Sequence, residues 1–476
     1  MKNLISSLFI LLISGSLFGQ WTSGTILEKL SRYDAEFIDA DNILIAGGQV
    51  WNNTSGNSNL SSNAYTYNVN THTWGIQAMS YTRLEPITVK GDSGVYVIGG
   101  VSNWNQQPWV LTPTMELYNN GSFTLSSIPF KTMEGNAVAI NGKIIVAPGA
   151  NYWHWYSDAA KSRGETKLWI YDEASKTWSS RYTVDSRFYS SAVTDGNIAI
   201  FAGGLTMDTT QPSNYLDGYS VSDAYEIYDG QTDSWTTGNL PAASARARIS
   251  ACHCNGFFVF AGGSTGHLTG SSRINIFDGN NWTSTNLAGS SRAIEDCATA
   301  GNKILFSGGG NWNFQWMWGN GNIVSRIDVF DSQDTSFSFM NLDRPLMDFK
   351  TPGYGGKAAV IGGTSFPSGN YTQYNTVKVY EDLNWINSIR NNNLLDFTIF
   401  PNPASDKVFI KLNFDSKSDA EITLKDFSGK VVLRQVLNPY ENTSTYELNK
   451  SDISSGLYIL SLRNENTISS KKIIFK

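Results

Sequence analysis

Seven copies of one short pattern constrain the fold of this 476-residue chain more than any other feature of its sequence. Each copy is an apolar run that ends in a glycine pair, as in NILIAGG (42–48) and FFVFAGG (257–263). Successive pairs lie 46 to 59 residues apart, and only the third copy departs, with Pro148 replacing the first glycine. The other copies span residues 94–100, 143–149, 197–204, 303–309 and 357–363. Such a period indicates stacked units, each too small to bury its own apolar faces.

Each repeat predicts four short β-strands. The glycine pair is followed by an alternating strand, a polar turn and usually a tryptophan, as in AYEIYDGQTDSW (224–235), which favours a hairpin. About sixteen residues upstream of most glycine pairs, an arginine opens a further strand. These arginines are Arg32, Arg83, Arg187, Arg246 and Arg292. Arg344 is two residues out of step, and the third repeat has Thr132. A closed ring of such units buries their faces and protects their edges.

This pattern resembles the kelch repeat over roughly residues 20–390. The resemblance implies an all-β fold, a seven-bladed kelch-type β-propeller. The segment WTSGTILEKLSR (21–32) parallels WTTGNLPAASAR (235–246), so Trp21 is expected in the outer strand of the last blade. Trp385 is the alternative candidate for that outer-strand position.

Several loops after the glycine pairs are long and aromatic, as in GGGNWNFQWMWGNGN (308–322). Long loops without structure of their own are usually functional or disordered, and the aromatic content argues against disorder. Flat aromatic rings suit the C–H face of a sugar, so a glycan or surface polysaccharide is the predicted ligand. The predicted ligand-binding residues are Trp51, Trp104, Trp109, Tyr152, Trp153, Trp155, Trp312, Trp316 and Trp318. The alternative is that these loops pack on one another and close the channel.

Charged residues of the inner strands, including Glu85, Glu134 and Glu295, are expected below these loops at the channel mouth. Kelch proteins include sialate mutarotases or epimerases, which use arginine and a carboxylate. Under that less favoured enzymatic alternative, the catalytic candidates are Arg83, Glu85, Glu134, Arg187 and Arg292. The arginines have a structural alternative, binding backbone carbonyls of neighbouring blades.

A second enzymatic branch, the copper-radical oxidases of the galactose oxidase type, needs two tyrosines, two histidines and a cysteine cross-linked to a tyrosine. This chain has four histidines, His72, His154, His253 and His267, and none follows a tyrosine as that pattern requires. No metal and no cofactor are therefore predicted. A surface protein-interaction module is the third class of function considered.

The two ends of the chain indicate export. Residues 1–19 have a basic start and a short apolar core, typical of a signal peptide. The net charge of −6 and the lack of a basic run make nucleic acid an unlikely partner, and no apolar run is long enough for a transmembrane segment.

Three cysteines are too few for a disulfide scaffold, although Cys297 has a possible bridge to Cys252 or Cys254.

The last part of the chain, residues 391–476, predicts a small β-sandwich of alternating strands. This part contains, in order, Pro401-Asn402-Pro403, the Gly429-Lys430 turn, Gly456 with Tyr458, and a basic apolar terminus. Together these features resemble the C-terminal sorting domain of cargo for the type IX secretion system of Bacteroidetes. The resemblance implies contact with the type IX machinery, passage across the outer membrane, and a secreted or cell-surface location. The favoured interpretation is a surface propeller that binds a ligand.

Overall fold

The computed structural model describes most of the chain after residue 19. The described residues are 20–52, 57–106, 109–152, 163–164, 166–185, 187–207, 219–241, 244–266, 269–289, 291–310, 323–366, 371–383, 385, 397–412, 420–426, 431–437, 445–450, 453–464 and 467–476. The chain divides into two compact units, residues up to Leu383 and Asn384–Lys476.

The first unit contains seven four-stranded antiparallel sheets, here called blades one to seven in chain order. The strands of each blade are given from the innermost outward. Blade one consists of Asp34–Phe37, Asn42–Ala46, Asn63–Asn68 and Trp74–Ala78, and blade two of Ile87–Lys90, Val95–Ile98, Thr114–Asn119 and Ser122–Ser127. Blade three consists of Asn136–Ile140, Lys143–Ala147, Lys167–Asp172 and Thr177–Tyr182. Blades four and five are Ser191–Thr194, Ile198–Ala202, Ala224–Asp229, Ser234–Asn239; and Ser250–Cys254, Phe257–Ala261, Arg273–Phe277, Trp282–Asn286. Blades six and seven are Asp296–Ala300, Lys303–Ser307, Arg326–Asp331, Ser336–Asn341; and Gly353–Tyr354, Lys357–Ile361, Thr376–Glu381, Gln20–Thr25.

The blades form a closed ring. The innermost strand of each blade contacts that of the next blade, and the strand of blade seven contacts that of blade one. Apolar clusters between neighbouring blades make the core, and the second strand of each blade is its most deeply buried part. The all-β propeller expected from the repeats is therefore present.

The N-terminal segment Gln20–Thr25 closes the ring as the outermost strand of blade seven. It pairs antiparallel with Thr376–Glu381, so that Trp21 lies opposite Tyr380. The two rings meet edge to face with their centroids 5.4 Å apart. Trp21, rather than Trp385, therefore occupies the outer-strand position.

The recurring glycine pairs are explained by contacts between blades. The second glycine donates its N–H to a backbone carbonyl of the next blade, as in Gly48 to Arg83 O at 2.7 Å and Gly263 to Arg292 O at 3.1 Å. Gly47 has a φ of 71°, and a Cβ built there would lie 2.2 Å from Arg83 O. Larger residues would push the blades apart, so the glycine pair recurs in six of the seven repeats.

The described parts of the loops after the glycine pairs are largely β-structure. They form small sheets on one rim of the ring and pair with the segments that precede the innermost strands. Their strands are Leu30–Ser31, Gln49–Asn52 and Asn57–Leu60; Val101–Asn103 and Val110–Leu111; Ala150–Tyr152 and Arg163–Gly164; Arg187–Phe188, Leu205–Met207 and Tyr219–Val221; Ser264–Gly266 and Thr269–Gly270; and Thr364–Ser365 and Thr372–Gln373. The repeat pattern predicts that the arginine segment opens the innermost strand, but this segment belongs to the rim layer instead.

The second unit is a small sandwich of two sheets around one apolar core. One sheet is ordered Phe397–Phe400, Lys407–Leu412, Thr445–Asn449, and the other Val431–Leu437, Ala420–Asp426, Gly456–Asn464, Thr467–Phe475. The side chain of Asn402 binds both the carbonyl of Lys472 at 2.7 Å and the N–H of Ile474 at 2.9 Å. The Pro-Asn-Pro motif is thus fixed to the last strand of the chain.

Candidate functional site

Four of the repeated arginines are buried inside the propeller. Arg83 donates to the carboxylate of Glu116 at 3.0 Å and to the carbonyl of Gly99 at 2.5 Å, both in its own blade. Arg292 similarly binds Gly308 O and Asp328. The other two are Arg187 and Arg246, and all four side chains are less than 2 % exposed. Arg83, Arg246 and Arg292 join the first glycine of the pair to the third strand of their blades. Arg187 instead joins Phe201 O to Glu226.

A different set of side chains faces the channel. They come two residues after the position that the buried arginine occupies in its repeat. Six residues there are not glycine yet have a left-handed backbone, with φ between 51° and 56°. They are Arg32, Glu85, Glu134, Tyr189, Arg248 and Asp348. The assignment of Arg32 to the repeated arginines was wrong, because Leu30 holds that position in blade one, where its carbonyl accepts the N–H of Gly363. The conformation is unusual for residues with a side chain, and such strain concentrates at functional sites. Together with Glu295 of blade six, they line the channel and are called the mouth ring below.

The mouth ring is held by two ion pairs. Arg32 Nε donates to Glu85 Oε1 at 2.5 Å, between blades one and two. Arg248 Nη2 lies 2.6 Å from Glu134 Oε2, which also accepts a hydrogen bond from the hydroxyl of Tyr189 at 2.8 Å. The Arg248 guanidinium lies over the Tyr189 ring, 4.9 Å from its centroid.

Glu85 and Glu134 form a coupled pair of carboxyl groups. Burial and, to a lesser extent, the nearby charge of Glu134 raise the pKa of Glu85 to about 8, although Arg32 lowers it. The pKa of Glu134 is lowered, since Arg248 and Arg32 outweigh its burial. One of the two groups therefore holds a proton near neutral pH, since the pKa of Glu85 is raised and that of Glu134 is lowered. The pKa directions place that proton on Glu85 and leave Glu134 ionised.

A second carboxyl pair, Glu295 and Asp348, lies across blades six and seven. Glu295 Oε1 accepts the N–H of Asp348 at 2.9 Å, and Asp348 Oδ2 accepts the hydroxyl of Thr364 at 3.0 Å. Burial, followed by the charge of Asp348, raises the pKa of Glu295 to about 8. Burial likewise raises the pKa of Asp348, although Arg32 opposes this.

Further along the channel, Lys350 lies among carboxylates. Its Nζ is 3.5 Å from Asp34 Oδ1. Burial alone would lower the pKa of Lys350, but Asp34 and Asp296 raise it. Burial raises the pKa of Asp296 to about 6 and that of Glu36 to about 7.

These groups line a cavity of about 540 Å³ that is walled by the innermost strands of all seven blades. Seven carboxyl groups face it: Asp34, Glu36, Glu85, Glu134, Glu295, Asp296 and Asp348. Three strongly basic side chains face it: Arg32, Arg248 and Lys350. Among the described residues the cavity is therefore predominantly acidic, and it can both donate and accept hydrogen bonds.

The predicted aromatic residues lie in the rim layer. Trp109 is 7 % exposed and packs in an apolar cluster with Leu84, Met133 and Phe188, and Trp104 packs against the same cluster. Trp51 is half-buried and meets Tyr371 edge to face, with centroids 5.8 Å apart. Trp153, Trp155, Trp312, Trp316 and Trp318, and the side chain of Tyr152, lie outside the described residues. For Trp104 and Trp109, packing between rim loops is what the structure shows.

The structure separates the alternative catalytic candidates into two groups. Glu85 and Glu134 lie together in the mouth ring, whereas Arg83, Arg187 and Arg292 are buried within their blades. The sequence patterns did not single out Tyr189, Arg248, Asp348 and Lys350 as site residues. Alignment of the seven repeats could have found the first three, because each lies two residues after the arginine position.

A disulfide bond joins Cys252 and Cys297, from the innermost strands of blades five and six. Both cysteines line the cavity wall, and Cys254 is a buried free thiol. Of the two described histidines, His253 lies on this wall, while the ring nitrogen of His72 contacts the hydroxyl of Tyr67 at 2.7 Å.

Comparison with known proteins identifies the fold and one domain. No curated protein sequence matches the chain. A fungal alcohol oxidase of the AA5 family, solved in complex with copper, superposes with a TM-score of 0.54 at 14% identity, covering 96% of this chain and 99% of the oxidase. The structure of YjhT gives a TM-score of 0.48 at 16% identity, covering 67% of this chain and 99% of YjhT. The chain is thus a β-propeller protein. Residues 398–476 match the secretion system C-terminal sorting domain.

The sorting domain shows that this propeller is exported to the cell surface by the type IX secretion system. No helix among the described residues is long and apolar enough to cross a membrane.

The mouth ring does not fit the copper of the structurally similar oxidase. Its donors are carboxyl, guanidinium and one phenol, without a histidine or a thiol. The described part of the chain brings no three histidine, cysteine, aspartate or glutamate side chains together in a metal-binding group. Copper ligation favours imidazole and sulfur donors, and the mouth ring offers neither.

Proposed function

We propose that this exported propeller is of the kelch type and binds a carbohydrate at its channel mouth. The mouth ring carries the proposal: ion-paired carboxylates and arginines, held on left-handed backbone, open onto a cavity of about 540 Å³. That volume is typical of small-molecule sites. A sugar hydroxyl both donates and accepts hydrogen bonds, and neighbouring carboxylate and guanidinium groups supply both partners.

The rim supports the same proposal in a limited way. Trp51 is half-buried beside Tyr371, so part of its surface stays accessible for stacking on a sugar. The predicted division into residues 1–19, 20–390 and 391–476 fits a signal peptide, a binding module and a sorting domain.

Binding of the full chain to a broad glycan array tests the proposal. We expect the parent to bind and Glu134→Gln to bind at least about tenfold more weakly, because one charge-assisted partner is lost. Glu447→Gln, on an exposed strand of the second unit, is the matched control and should bind like the parent. A folded parent that binds no sugar would overturn the proposal and favour a protein-interaction module.

A sugar-modifying enzyme is the second candidate, and the Glu85–Glu134 pair favours it. One group holds a proton while the other is ionised, an arrangement suited to general acid–base catalysis. The corresponding reaction class is proton transfer: from the anomeric hydroxyl to the ring oxygen in mutarotation, or from and to a carbon atom in epimerisation. Proton NMR of freshly dissolved single anomers tests it. Acceleration that is lost in both Glu85→Gln and Glu134→Gln would support catalysis, and a parent rate equal to buffer would exclude mutarotation.

A further inference from the structure

The charges of the channel are not balanced. Each of its three strongly basic side chains already has a carboxylate partner: Arg32 with Glu85, Arg248 with Glu134, and Lys350 with Asp34. Four further carboxyl groups line the same cavity without an ion pair to any described residue. They are Glu36, Glu295, Asp296 and Asp348.

Glu295 and Asp348 lie at the mouth end of this set. They are linked only through neutral donors, the N–H of Asp348 and the hydroxyl of Thr364. Both side chains are half-buried and border the cavity. The other charged groups that influence them are Arg32, Glu134, Arg248, Asp296 and Lys350. None of the three basic side chains forms an ion pair with Glu295 or Asp348. A cation placed here would have two carboxylate acceptors.

The opposite carboxyl pair, Glu85 and Glu134, gives independent evidence that the mouth ring lacks a hydrogen-bond donor. Glu85 Oε2 is buried and has no conventional donor among the described residues. Buried acceptors are normally satisfied by a donor, so the mouth ring is short of donors on both sides of the channel.

We propose that the channel mouth prefers sugars that carry a protonated amine, and that this ammonium lies between Glu295 and Asp348. The inference rests on the proposed carbohydrate binding and specifies its ligand class. An ammonium group supplies three donors and one positive charge to a carboxyl pair that has no ion pair of its own, since the basic side chains of the cavity are paired with other carboxylates. A carboxylated sugar would instead add negative charge to an acidic cavity.

Amine binding should also release protons. The neighbouring like charge and burial keep Glu295 partly protonated near neutral pH, and an ammonium contact favours its ionised form. Affinity for an amino sugar should therefore rise from about pH 6 to about pH 8, as long as the amine stays protonated.

The experiment is titration calorimetry of the full chain with two matched trisaccharides, the glucosamine trimer and the N-acetylglucosamine trimer. We expect the glucosamine trimer to bind at least about tenfold more tightly at pH 7. Measurement in two buffers of different ionisation enthalpy should show proton release for that trimer only. Glu295→Gln should reduce the preference between the two trimers, and Asp348→Asn provides a second test if the first variant is unstable.

The outcomes separate the two proposals. Equal affinity, or tighter binding of the N-acetylated trimer, would overturn the amine preference and leave carbohydrate binding standing. Binding of neutral sugars on the array, without binding of any amino sugar, would do the same. Failure to bind any sugar would overturn both.

Discussion

Glu134 and Arg248 form an ion pair across the channel mouth although their blades are not neighbours. Arg248 Nη2 in blade five lies 2.6 Å from Glu134 Oε2 in blade three, and Tyr189 of blade four lies between them. Three successive blades are therefore connected by side chains as well as by strand packing. The mouth ring both borders the cavity and fixes the positions of the blades around it.

Arg248→Met should destabilise the protein because it leaves Glu134 without its main cation. The loss should be about 2 kcal/mol, less than for a fully buried pair, since 22% and 15% of the two side chains are exposed. Urea unfolding at pH 7 measures it. Arg344→Met, which breaks a more exposed pair with Asp343, is the control and should cost less than about 1 kcal/mol. Similar losses in the two variants would contradict the assigned role.

Arg83 and Glu116 should behave as a buried structural pair. Both side chains are fully buried, and Glu116 also accepts the N–H of Ser80 at 2.9 Å. Arg83→Met should cost roughly 3–5 kcal/mol because it leaves a buried charge unpaired. The double variant Arg83→Met/Glu116→Leu should be more stable than Arg83→Met alone. Thermal unfolding of the parent, of the single variants Arg83→Met and Glu116→Leu, and of the double variant gives the coupling, and additive losses would speak against a direct interaction.

Stability should fall as pH rises through the neutral range. The folded-state pKa values of Glu36, Glu85, Glu295 and Asp296 are raised, to between about 6 and about 8. The folded protein therefore holds protons that the unfolded chain releases, so this stability is full below about pH 4 and is lost by about pH 8. Each such proton contributes a slope of up to about 1.4 kcal/mol per pH unit.

Glu295→Gln tests this pH dependence directly. The amide resembles the protonated acid but cannot ionise, so the variant should lose less stability than the parent between about pH 6 and about pH 8.5. Differential scanning fluorimetry over that range measures the difference, with Glu447→Gln as an exposed control. Parallel curves for parent and Glu295→Gln would show that Glu295 is already ionised at pH 6.

Removal of the Cys252–Cys297 disulfide should destabilise the ring. The bond closes a segment of 45 residues, for which the chain-entropy relation gives about 4 kcal/mol. The double variant Cys252→Ala/Cys297→Ala should therefore melt at a lower temperature than the parent under oxidising conditions. Reductant should shift the parent toward the variant and leave the variant unchanged. Equal melting temperatures without reductant would indicate that the bond adds no stability.

The fold could be predicted because the repeats obey one local rule. A glycine is required wherever the carbonyl of the next blade approaches, as at Gly47 beside Arg83 O, so this residue type recurs with the blades. Ring closure was also visible, since the sequence around Trp21 parallels that around Trp235.

The site was harder to predict because its position in the repeat is not marked by one residue type. The conspicuous arginines, such as Arg83, serve the interior of each blade. The channel-facing position holds arginine, glutamate, tyrosine or aspartate in different blades, as at Arg32 and Tyr189. The exposure of Trp109 depends on packing between rim loops, which local sequence does not encode.

Closure of the ring by Gln20–Thr25 has a consequence for the order of events in folding. Its partner strand Thr376–Glu381 comes at the far end of the propeller sequence, so this pairing is a long-range contact and is expected to form late. Until then blade seven presents an unpaired edge, which can pair with another chain. The rate at which Gln20–Thr25 pairs with Thr376–Glu381 therefore determines how long a newly made chain is exposed to aggregation.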